Sequence, residues 1–342
     1  MRRSRWLLVL FCFAALFSFD ARAQQPKQRI RLATVAPKAS SFHNILVGMG
    51  TKWEAQGVEL KIYPGGARGG EADVVSFMRN GALDAGLLTA VGLSEIDPSV
   101  HALQSVPMLF RSLEEVDYVG EQLRPRLEKR LRERGFVVLF WADAGWVRFF
   151  SKEPIASPDD LRKAKLFTWS GDVSVVDIYR RSGFHPVPLE TNDILPSLQT
   201  GMINAVPLPP YVALTTQVFM RAPHMLELDW APLVGALVVT EKSWDKLTVT
   251  QKRELARAAG EAGKIMKQRN RLESNQAVAK MQQRGLKVTR IAPETTAAWR
   301  RAAEQQYPQI RGRIVPADLF DEVVAHLAQY RSQAQPKTVS AK

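Results

Sequence analysis

Three consecutive segments decide the fold of this chain: RIRLATV (29–35), FHNILVGMGTKWEAQ (42–56) and VELKIYP (58–64). The first and third have the patterning of β-strands, whereas the second has its apolar residues at helical spacing. A glycine-rich turn, GGARGGE (65–71), a helical segment (72–83) and a strand (84–91) continue the series. Strands that alternate with helices across short connections predict a mostly parallel sheet covered by helices.

A second series of the same kind follows later in the chain. Its predicted strands are 135–145, 147–152, 165–170 and 184–189. Its predicted helices are 157–164, 172–183 and 191–201. The remaining predicted elements are a long helical region (246–285), a strand (286–293) and an amphipathic helix (316–331). Two such series predict an α/β protein with two lobes.

The first residues predict export from the cytoplasm. Three arginines within residues 2–5 precede an apolar stretch (6–19), and Ala21-Arg22-Ala23 follows as a cleavage site of the A-x-A type. This combination is typical of a secretory signal peptide, because the apolar stretch is too short to span a membrane. An uncleaved membrane anchor is the alternative. We therefore predict a periplasmic protein.

Composition excludes several kinds of site. The single cysteine, Cys12, lies inside the leader, so the mature chain is predicted to have no disulfide, thiolate zinc site or cysteine nucleophile. Removing four arginines and one aspartate with the leader reduces 47 basic and 34 acidic side chains to 43 and 33, a net charge of +10. The basic residues are scattered over helical surfaces, as in LRPRLEKRLRER (123–134). Because no basic-aromatic motif accompanies them, nucleic acid is not predicted as a partner.

The sequence lacks the motifs of common enzyme classes. It has no HExxH, GxSxG or P-loop pattern, and GGARGGE lacks the glycine spacing of a dinucleotide site. Asp159 and Asp160 fall in the first turn of a predicted helix and are assigned to capping. The histidines are widely spaced, at His43, His101, His185, His224 and His326. We therefore predict a binding protein with no catalytic residue, metal or cofactor.

Five stretches, in this order, carry a resemblance to a known family: RLATVAPKASSFH, YPGGARGGEADVVSFMRNGALDAGLL, ALQSVPMLFRSLEEV, PIASPDDLRKAKL and PVPLETNDILPSLQTGMINA. Over about residues 29–331 the chain resembles the solute-binding proteins of TRAP transporters, the DctP-like family. The resemblance implies a periplasmic binding protein fold. In that fold two α/β lobes, joined by crossing strands and a long hinge helix, close on a ligand as a clam-shell.

The same resemblance implies how the chain is divided and what it works with. It implies delivery of a small-molecule ligand to the permease subunits of a TRAP-type importer in the inner membrane. Some relatives with apolar sites work with a helical-repeat periplasmic protein. The resemblance therefore allows a helical-repeat protein as a second partner of this chain. The expected divisions are a signal peptide (1–23), lobe 1 (28–144 plus 235–276), lobe 2 (145–234 plus 277–331) and a disordered tail (332–342).

The positions at which the family holds a ligand carboxylate depart from its pattern. The family's arginine after the PDDLK-like turn is replaced by Phe167. The family usually has a second arginine in a G-x-R strand, but in GWVR (145–148) the arginine, Arg148, comes one residue later. A shift of one residue turns a side chain to the other face of a strand. A usual Glu-Asn pair is replaced by Pro207-Leu208. Because a phenyl ring cannot replace a bidentate arginine contact, we predict an apolar or aromatic ligand.

The predicted binding site centres on one strand. Phe167 and Trp169 point the same way on it, and we predict that this face borders the cleft. The rest of the predicted lining is Trp146, Leu208, Pro209 and Tyr211, with Leu88, Thr89 and Phe42 from the first lobe. The predicted polar contacts are Asp172, Asn192 and Glu71.

Three alternatives remain open at this point. The same fold could bind an ordinary organic acid through Arg148, if a β-bulge re-aims that side chain into the cleft, or through another basic residue. A secreted hydrolase with a non-standard site is the second alternative. The third is a receptor subunit of a two-component sensor.

Overall fold

The computed structural model describes residues 28–334. The predicted signal peptide (1–23) and the end of the predicted tail (335–342) lie outside the described residues. Within residues 28–334 the chain forms ten β-strands and thirteen α-helices. No helix in this part of the chain is long and apolar enough to cross a membrane.

The elements alternate along the chain as the sequence predicts. The first series is β1 (Gln28–Thr34), α1 (Ser41–Glu54), β2 (Val58–Tyr63), α2 (Glu71–Arg79), β3 (Ala85–Thr89), α3 (Ala90–Ser94) and α4 (Leu113–Glu133). The second is β4 (Phe136–Ser151), α5 (Pro158–Lys163), β5 (Lys165–Trp169), α6 (Val173–Arg181), β6 (His185–Leu189), α7 (Ile194–Thr200), β7 (Ala205–Leu208), α8 (Pro210–Thr215) and β8 (His224–Leu226). The last elements are β9 (Ala231–Thr240), α9 (Glu241–Trp244), α10 (Val249–Gln282), β10 (Lys287–Thr289), α11 (Pro293–Glu304), α12 (Tyr307–Ile310) and α13 (Ala317–Ala334).

The strands form one continuous hydrogen-bonded sheet with two halves. Its order is β2-β1-β3-β9-β4-β7-β5-β6, and β8 and β10 extend it from β4. β1 is parallel to β2 and β3, and β5 is parallel to β6 and β7. We call the half built on β1, β2 and β3 the first lobe, and the half built on β5, β6 and β7 the second lobe.

Two long antiparallel strands, β4 and β9, cross between the lobes. β4 pairs with β9 on the first-lobe side and with β7 on the second-lobe side. The sequence predicted two strands where β4 is one strand of 16 residues, and that prediction is wrong. Gly145 has a φ of 80° and lies at a register shift between Asp143 and Trp146, after which the ladder resumes. The glycine therefore bends the strand and does not end it.

The helix α10 also runs past both lobes. It has 34 residues, which corresponds to about 50 Å of α-helix. Its first half buries Leu255 and Ala259 in a first-lobe core, and its second half buries Ala277 and Met281 in a second-lobe core. It thus has the position of the hinge helix that the resemblance implies.

The helices α4 and α13 pack on each other beside the sheet. In the basic stretch 123–134, α4 buries Leu123, Leu127 and Leu131, while Arg126 forms ion pairs with two acidic residues of α13. α13 continues to Ala334. The first three residues of the predicted disordered tail are therefore helical, because no helix-breaking residue occurs before Pro336.

Candidate functional site

A cavity of about 120 Å³ lies in the cleft between the lobes. The first lobe contributes the ends of β1 and β3 and the start of α1, through Val35, Leu88 and Phe42. The second lobe contributes the ends of β5 and β7 and part of α8, through Trp169, Leu208 and Val212. The crossing strands and α10 close it from behind. Such a position at the carboxyl ends of parallel strands is typical of ligand sites in open α/β sheets.

Among the described residues, no arginine, lysine or histidine lines this cavity. The one ionisable side chain in its lining, Asp143, faces the guanidinium of Arg271, with an Nη2–Oδ2 distance of 2.7 Å. Arg271 also donates to Asp117 on α4. Burial tends to lower the pKa of Arg271, but the hydrogen bonds that Arg271 donates to Asp117 and Asp143 outweigh burial, and the net pKa is raised. The one charged side chain in the described lining is therefore already neutralised within the hinge.

Asn270 is the other buried polar group of the cleft. It is fully buried on α10, and its Nδ2 donates to the carbonyl of Asp143 at 3.0 Å. Because a carbonyl can only accept, this bond fixes the amide orientation and leaves Oδ1 as an acceptor. That Oδ1 has no hydrogen-bond partner among the described residues. The cleft thus offers a free acceptor to a ligand.

The two lobes touch each other around the mouth of the cleft. The Ser41 amide donates to the Tyr211 hydroxyl at 2.8 Å, and the Ser41 hydroxyl donates to Glu273 at 2.6 Å. The glycine-rich turn of the first lobe lies against Glu190 of the second, where a Cβ at Gly70 would collide with Oε2. The structure is therefore a closed form, in which a bound ligand would touch both lobes.

Several predicted site residues meet around the cleft cavity. They are Phe42, Leu88, Thr89, Trp169 and Leu208. Tyr211 and Asn192 lie at the contact between the lobes instead, since Tyr211 binds Ser41 and Asn192 lies against the glycine-rich turn at Gly66. Pro209 is buried at the start of α8 and does not line the cavity.

The prediction for Phe167 is wrong in one respect. Phe167 shares a face with Trp169, but it is fully buried in the second-lobe core, with Ile194 and Leu198 of α7. It does not line the cleft cavity and borders instead the second cavity described below. The two rings meet edge to face, with centroids 5.0 Å apart. β5 points toward the cleft with its carboxyl end, so only its last residue, Trp169, lines the cleft cavity.

Arg148 and Trp146 also lie elsewhere. Arg148 is opposite Leu208 in the ladder, but its guanidinium binds Asp229, with an Nη2–Oδ1 distance of 3.0 Å. Trp146 packs against the core between α4 and α13. The predicted bulge is present at Gly145, but neither Arg148 nor Trp146 lines the cleft cavity. Arg148 is bound to Asp229, and Trp146 packs in the core between α4 and α13.

A second cavity of about 120 Å³, which we call the inner chamber, adjoins the cleft. Trp169 and Leu233 line both cavities and separate them. The inner chamber borders β5 at Phe167 and Thr168, and aromatic rings of α6, α11 and the segment before β9 also line it. Asp172, a predicted polar contact, lines this chamber and not the cleft.

Glu71, the remaining predicted contact, borders a small third cavity of about 20 Å³ together with Glu95 and Glu190. It accepts hydrogen bonds from the amide and hydroxyl of Thr89 and from the Gly92 amide. Burial raises the pKa of Glu71, although these hydrogen bonds act in the opposite direction. Glu71 is therefore satisfied inside the first lobe.

Sequence reasoning missed two groups of residues. Met266 and Asn270 of α10 line the cleft, and Tyr179, Trp230 and Trp299 line the inner chamber. The signal for Asn270 was a polar residue on the apolar stripe of a long helix. The described residues contain no cluster of three or more histidine, cysteine, aspartate or glutamate side chains that could hold a metal ion.

Comparisons with known proteins agree with this architecture. The profile of the family described as bacterial extracellular solute-binding protein, family 7 (DctP), matches residues 32–312. A solute-binding protein of Roseobacter denitrificans is 25% identical over 264 residues, which cover 75% of this chain and 79% of that protein.

Two solved structures show the same two-lobed fold. One is a TRAP periplasmic solute-binding protein of Ralstonia eutropha H16 with bound (S)-2-acetolactate, at a TM-score of 0.81 and 20% identity, covering 88% of this chain and 99% of that one. The other is the sugar acid binding protein DctPAm of Advenella mimigardefordensis with galactonate, at a TM-score of 0.82 and 15% identity, covering 88% and 98%.

Proposed function

The chain belongs to the DctP family of bacterial extracellular solute-binding proteins, and on that premise we propose that its solute is a small organic molecule with an apolar or aromatic body. Membership makes the protein a binding receptor and not an enzyme. The alternative of a secreted hydrolase is therefore set aside.

The receptor would work outside the cytoplasm and pass its ligand to a membrane permease. The related protein of Ralstonia eutropha is a TRAP periplasmic solute-binding protein, which supports a TRAP-type importer as the partner. The leader-like residues 1–23 support export to the periplasm. The division into lobes at residues 144/145, 234/235 and 276/277 stays a prediction, as does a helical-repeat partner.

One observation carries the proposal about the ligand: the cleft cavity has an apolar lining without a cation among the described residues. Moving a carboxylate from water into such a site costs several kcal/mol unless a cation or several hydrogen-bond donors replace the water. Removing apolar ligand surface from water gains about 25 cal/mol per Å². An apolar or aromatic body is therefore favoured over a dicarboxylate or sugar acid.

Arg271 and Arg148 adjoin residues of this lining, Asp143 and Leu208, and the guanidinium of each already binds a carboxylate of the protein. Arg271 is shared between Asp117 and Asp143, and Arg148 binds Asp229. To grip a ligand carboxylate, either arginine would have to leave a carboxylate of the protein, so little free energy would be gained. This argues against an ordinary organic acid held by Arg148.

The test compares a neutral aromatic probe with a sugar acid. In isothermal titration of the mature protein, 3-phenyl-1-propanol should bind saturably and D-galacturonate should not. Trp169→Ala should weaken the alcohol at least tenfold, about 1.4 kcal/mol, because the indole of Trp169 forms one wall of the cleft. Val249→Ala, at an 84% exposed site on α10, is the matched control and should change nothing.

The opposite pattern would overturn the proposal. Galacturonate would bind more tightly than the alcohol, and Arg148→Ala would abolish that binding. The organic-acid alternative would then be correct.

A further inference from the structure

The inner chamber is walled by aromatic rings that converge from several elements. Trp169 comes from β5, Tyr179 from α6, Trp230 from the segment before β9 and Trp299 from α11. Aromatic faces attract cations, and the attraction grows when the site is shielded from water. Burial raises the pKa of Tyr179 to about 12, so its hydroxyl stays neutral at physiological pH.

Carboxylates surround Trp169 on both sides. Asp172 lines the inner chamber, and Glu71, Glu95 and Glu190 line the small cavity on the other side of the indole. We call these four carboxylates the acidic corner. None of the four forms an ion pair with any cation of residues 28–334. None of the three cavities that border Trp169 has an arginine, lysine or histidine in its described lining.

The acidic corner is unusual for this chain, which has 47 basic and 34 acidic side chains. Buried carboxylates elsewhere face guanidinium groups, as Asp97 faces Arg130, Glu115 faces Arg331 and Asp84 faces Arg31. Within the acidic corner, Glu71 is satisfied by Thr89 and Gly92, whereas the partly buried Asp172 has only the Val175 amide and lines the inner chamber. Because a carboxylate shielded from water is expensive without a partner, Asp172 can accept a cation from outside the chain.

Two buried polar atoms beside these cavities point the same way. Asn270 Oδ1 in the cleft is a free acceptor, as described above. Thr168 lines the inner chamber, is 5% exposed, and its Oγ1 also has no hydrogen-bond partner among the described residues. A hydroxyl can accept as well as donate, so each of these groups can receive a hydrogen bond from a ligand N–H.

We propose that the solute carries an ammonium group, which passes Trp169 and enters the inner chamber, where Asp172 neutralises it and the rings of Tyr179 and Trp230 pack around it. The apolar or aromatic body of the solute then stays in the cleft. This inference rests on the proposed function, because it assumes that the body binds between the lobes.

The sizes of the two cavities fit a ligand of this shape. Each has a volume of about 120 Å³. An apolar cavity of about 150 Å³ is known to hold benzene, so each cavity suits one ring or one short branched group. A ligand with a ring at one end and an amine a few carbons away would occupy both.

The experiment uses three probes of one shape and three charges. They are 3-phenylpropylamine, 3-phenyl-1-propanol and 3-phenylpropanoate, each titrated calorimetrically into the mature protein at pH 7.5. The amine should bind at least tenfold more tightly than the alcohol, and the carboxylate should not bind. The neutral alcohol tests the cleft alone, whereas the difference between amine and alcohol tests the inner chamber.

Asp172→Asn assigns the preference to one residue. Asparagine also serves as a helix N-cap, so the variant keeps the bond from the Val175 amide and should fold. We expect it to weaken the amine about tenfold and the alcohol less than twofold. Asp177→Asn, on the exposed side of the same helix, is the control and should change neither affinity.

The outcomes separate the two proposals. An alcohol that binds as tightly as the amine, or an amine unaffected by Asp172→Asn, overturns the inference and leaves the proposed function intact. If none of the three probes binds, the proposed function fails and the inference fails with it.

Discussion

At the hinge, the carboxylates of Asp117 and Asp143 share the Nη2 of Arg271, at 2.6 and 2.7 Å. Lys267 adds a second cation beside Asp117, at 2.5 Å. In the acidic corner, by contrast, the carboxylates form no ion pair among the described residues, and Glu71, Glu190 and Asp172 accept from neutral donors of the protein. Asp172 accepts from the Val175 amide, and Glu71 accepts from Thr89 and Gly92.

The difference separates charges that hold the fold together from charges that await a ligand. The hinge carboxylates are neutralised inside the chain, so they can join α4, β4 and α10 without a ligand. In the acidic corner, Glu71 is held by Thr89 and Gly92, but Asp172 borders the inner chamber, and its neutralisation depends on what enters. A receptor that closes only on its proper ligand needs such an incomplete site, because the ligand must favour the closed form.

The largest expected effect comes from placing a cation where the family usually has one. Phe167→Arg should lower the free energy of unfolding by about 4 kcal/mol or more, because it removes a fully buried ring from the second-lobe core and places a charged guanidinium among apolar side chains. Urea unfolding followed by circular dichroism measures the loss. Met220→Arg, at a 64% exposed site, should change little.

A stable Phe167→Arg protein that binds D-galacturonate would contradict the view that the cleft is built for a ligand without a carboxylate. It would mean that position 167 can reach the cleft and that the cleft accepts a cation.

The next effect in size concerns the hinge. Arg271→Met should lower the free energy of unfolding by about 3 kcal/mol, because it leaves Asp143 and Asp117 facing each other with only Lys267 nearby. The loss should be smaller at pH 4 than at pH 7. Burial would raise the pKa of Asp117, but its hydrogen bonds with Arg271 and Lys267 outweigh burial and lower the pKa, so the stability that this pairing contributes is lost as the pH falls. Arg257→Met, on the exposed side of the same helix, is the control and should unfold like the unmodified protein. An equal result for the two variants would show that the hinge pairs contribute nothing.

The smallest expected effect is the change of amine affinity with pH, which depends on the protonation of Asp172 in the acidic corner. Burial and the nearby charge of Glu95 raise the pKa of Asp172 to about 6, and Tyr179, the other titratable group facing it, stays neutral. Above pH 6 the carboxylate is charged and binds an ammonium group, and below pH 6 it is protonated. Amine affinity should therefore fall about tenfold between pH 7.5 and pH 5, while alcohol affinity stays level.

Asp172→Asn should remove that pH dependence, because asparagine does not titrate. An amine affinity that falls equally in the variant would assign the effect to Glu71, Glu95 or Glu190 instead. The same raised pKa predicts that ionisation of Asp172 costs stability, so this residue favours the fold more at pH 4 than at pH 7.

Sequence patterning predicted most of the architecture, because periodicity reports which face of an element is buried. The strand at 29–35 and the helix at 42–56 match β1 and α1 within two residues. The pattern failed at Gly145, where a glycine with positive φ looks the same in sequence whether it ends a strand or bends one.

The site was predicted less completely, because it depends on where along a strand the cleft begins. Alternation gave Phe167 and Trp169 the same face, but only the structure shows that the core covers the first and the cleft reaches the second. The sequence left Arg148 as a candidate ligand-binding residue, because its partner Asp229 lies 81 residues later in the chain and no local pattern links the two. The inner chamber combines α6 with α11, and no local pattern links two elements so far apart.

Native mass spectrometry of the protein, purified without unfolding, identifies the solute that stays bound to it. We expect a small molecule that has an apolar or aromatic body and a basic nitrogen, lacks a carboxylate, and is absent from the Trp169→Ala variant. A sugar acid or dicarboxylate as the co-purified ligand would contradict it.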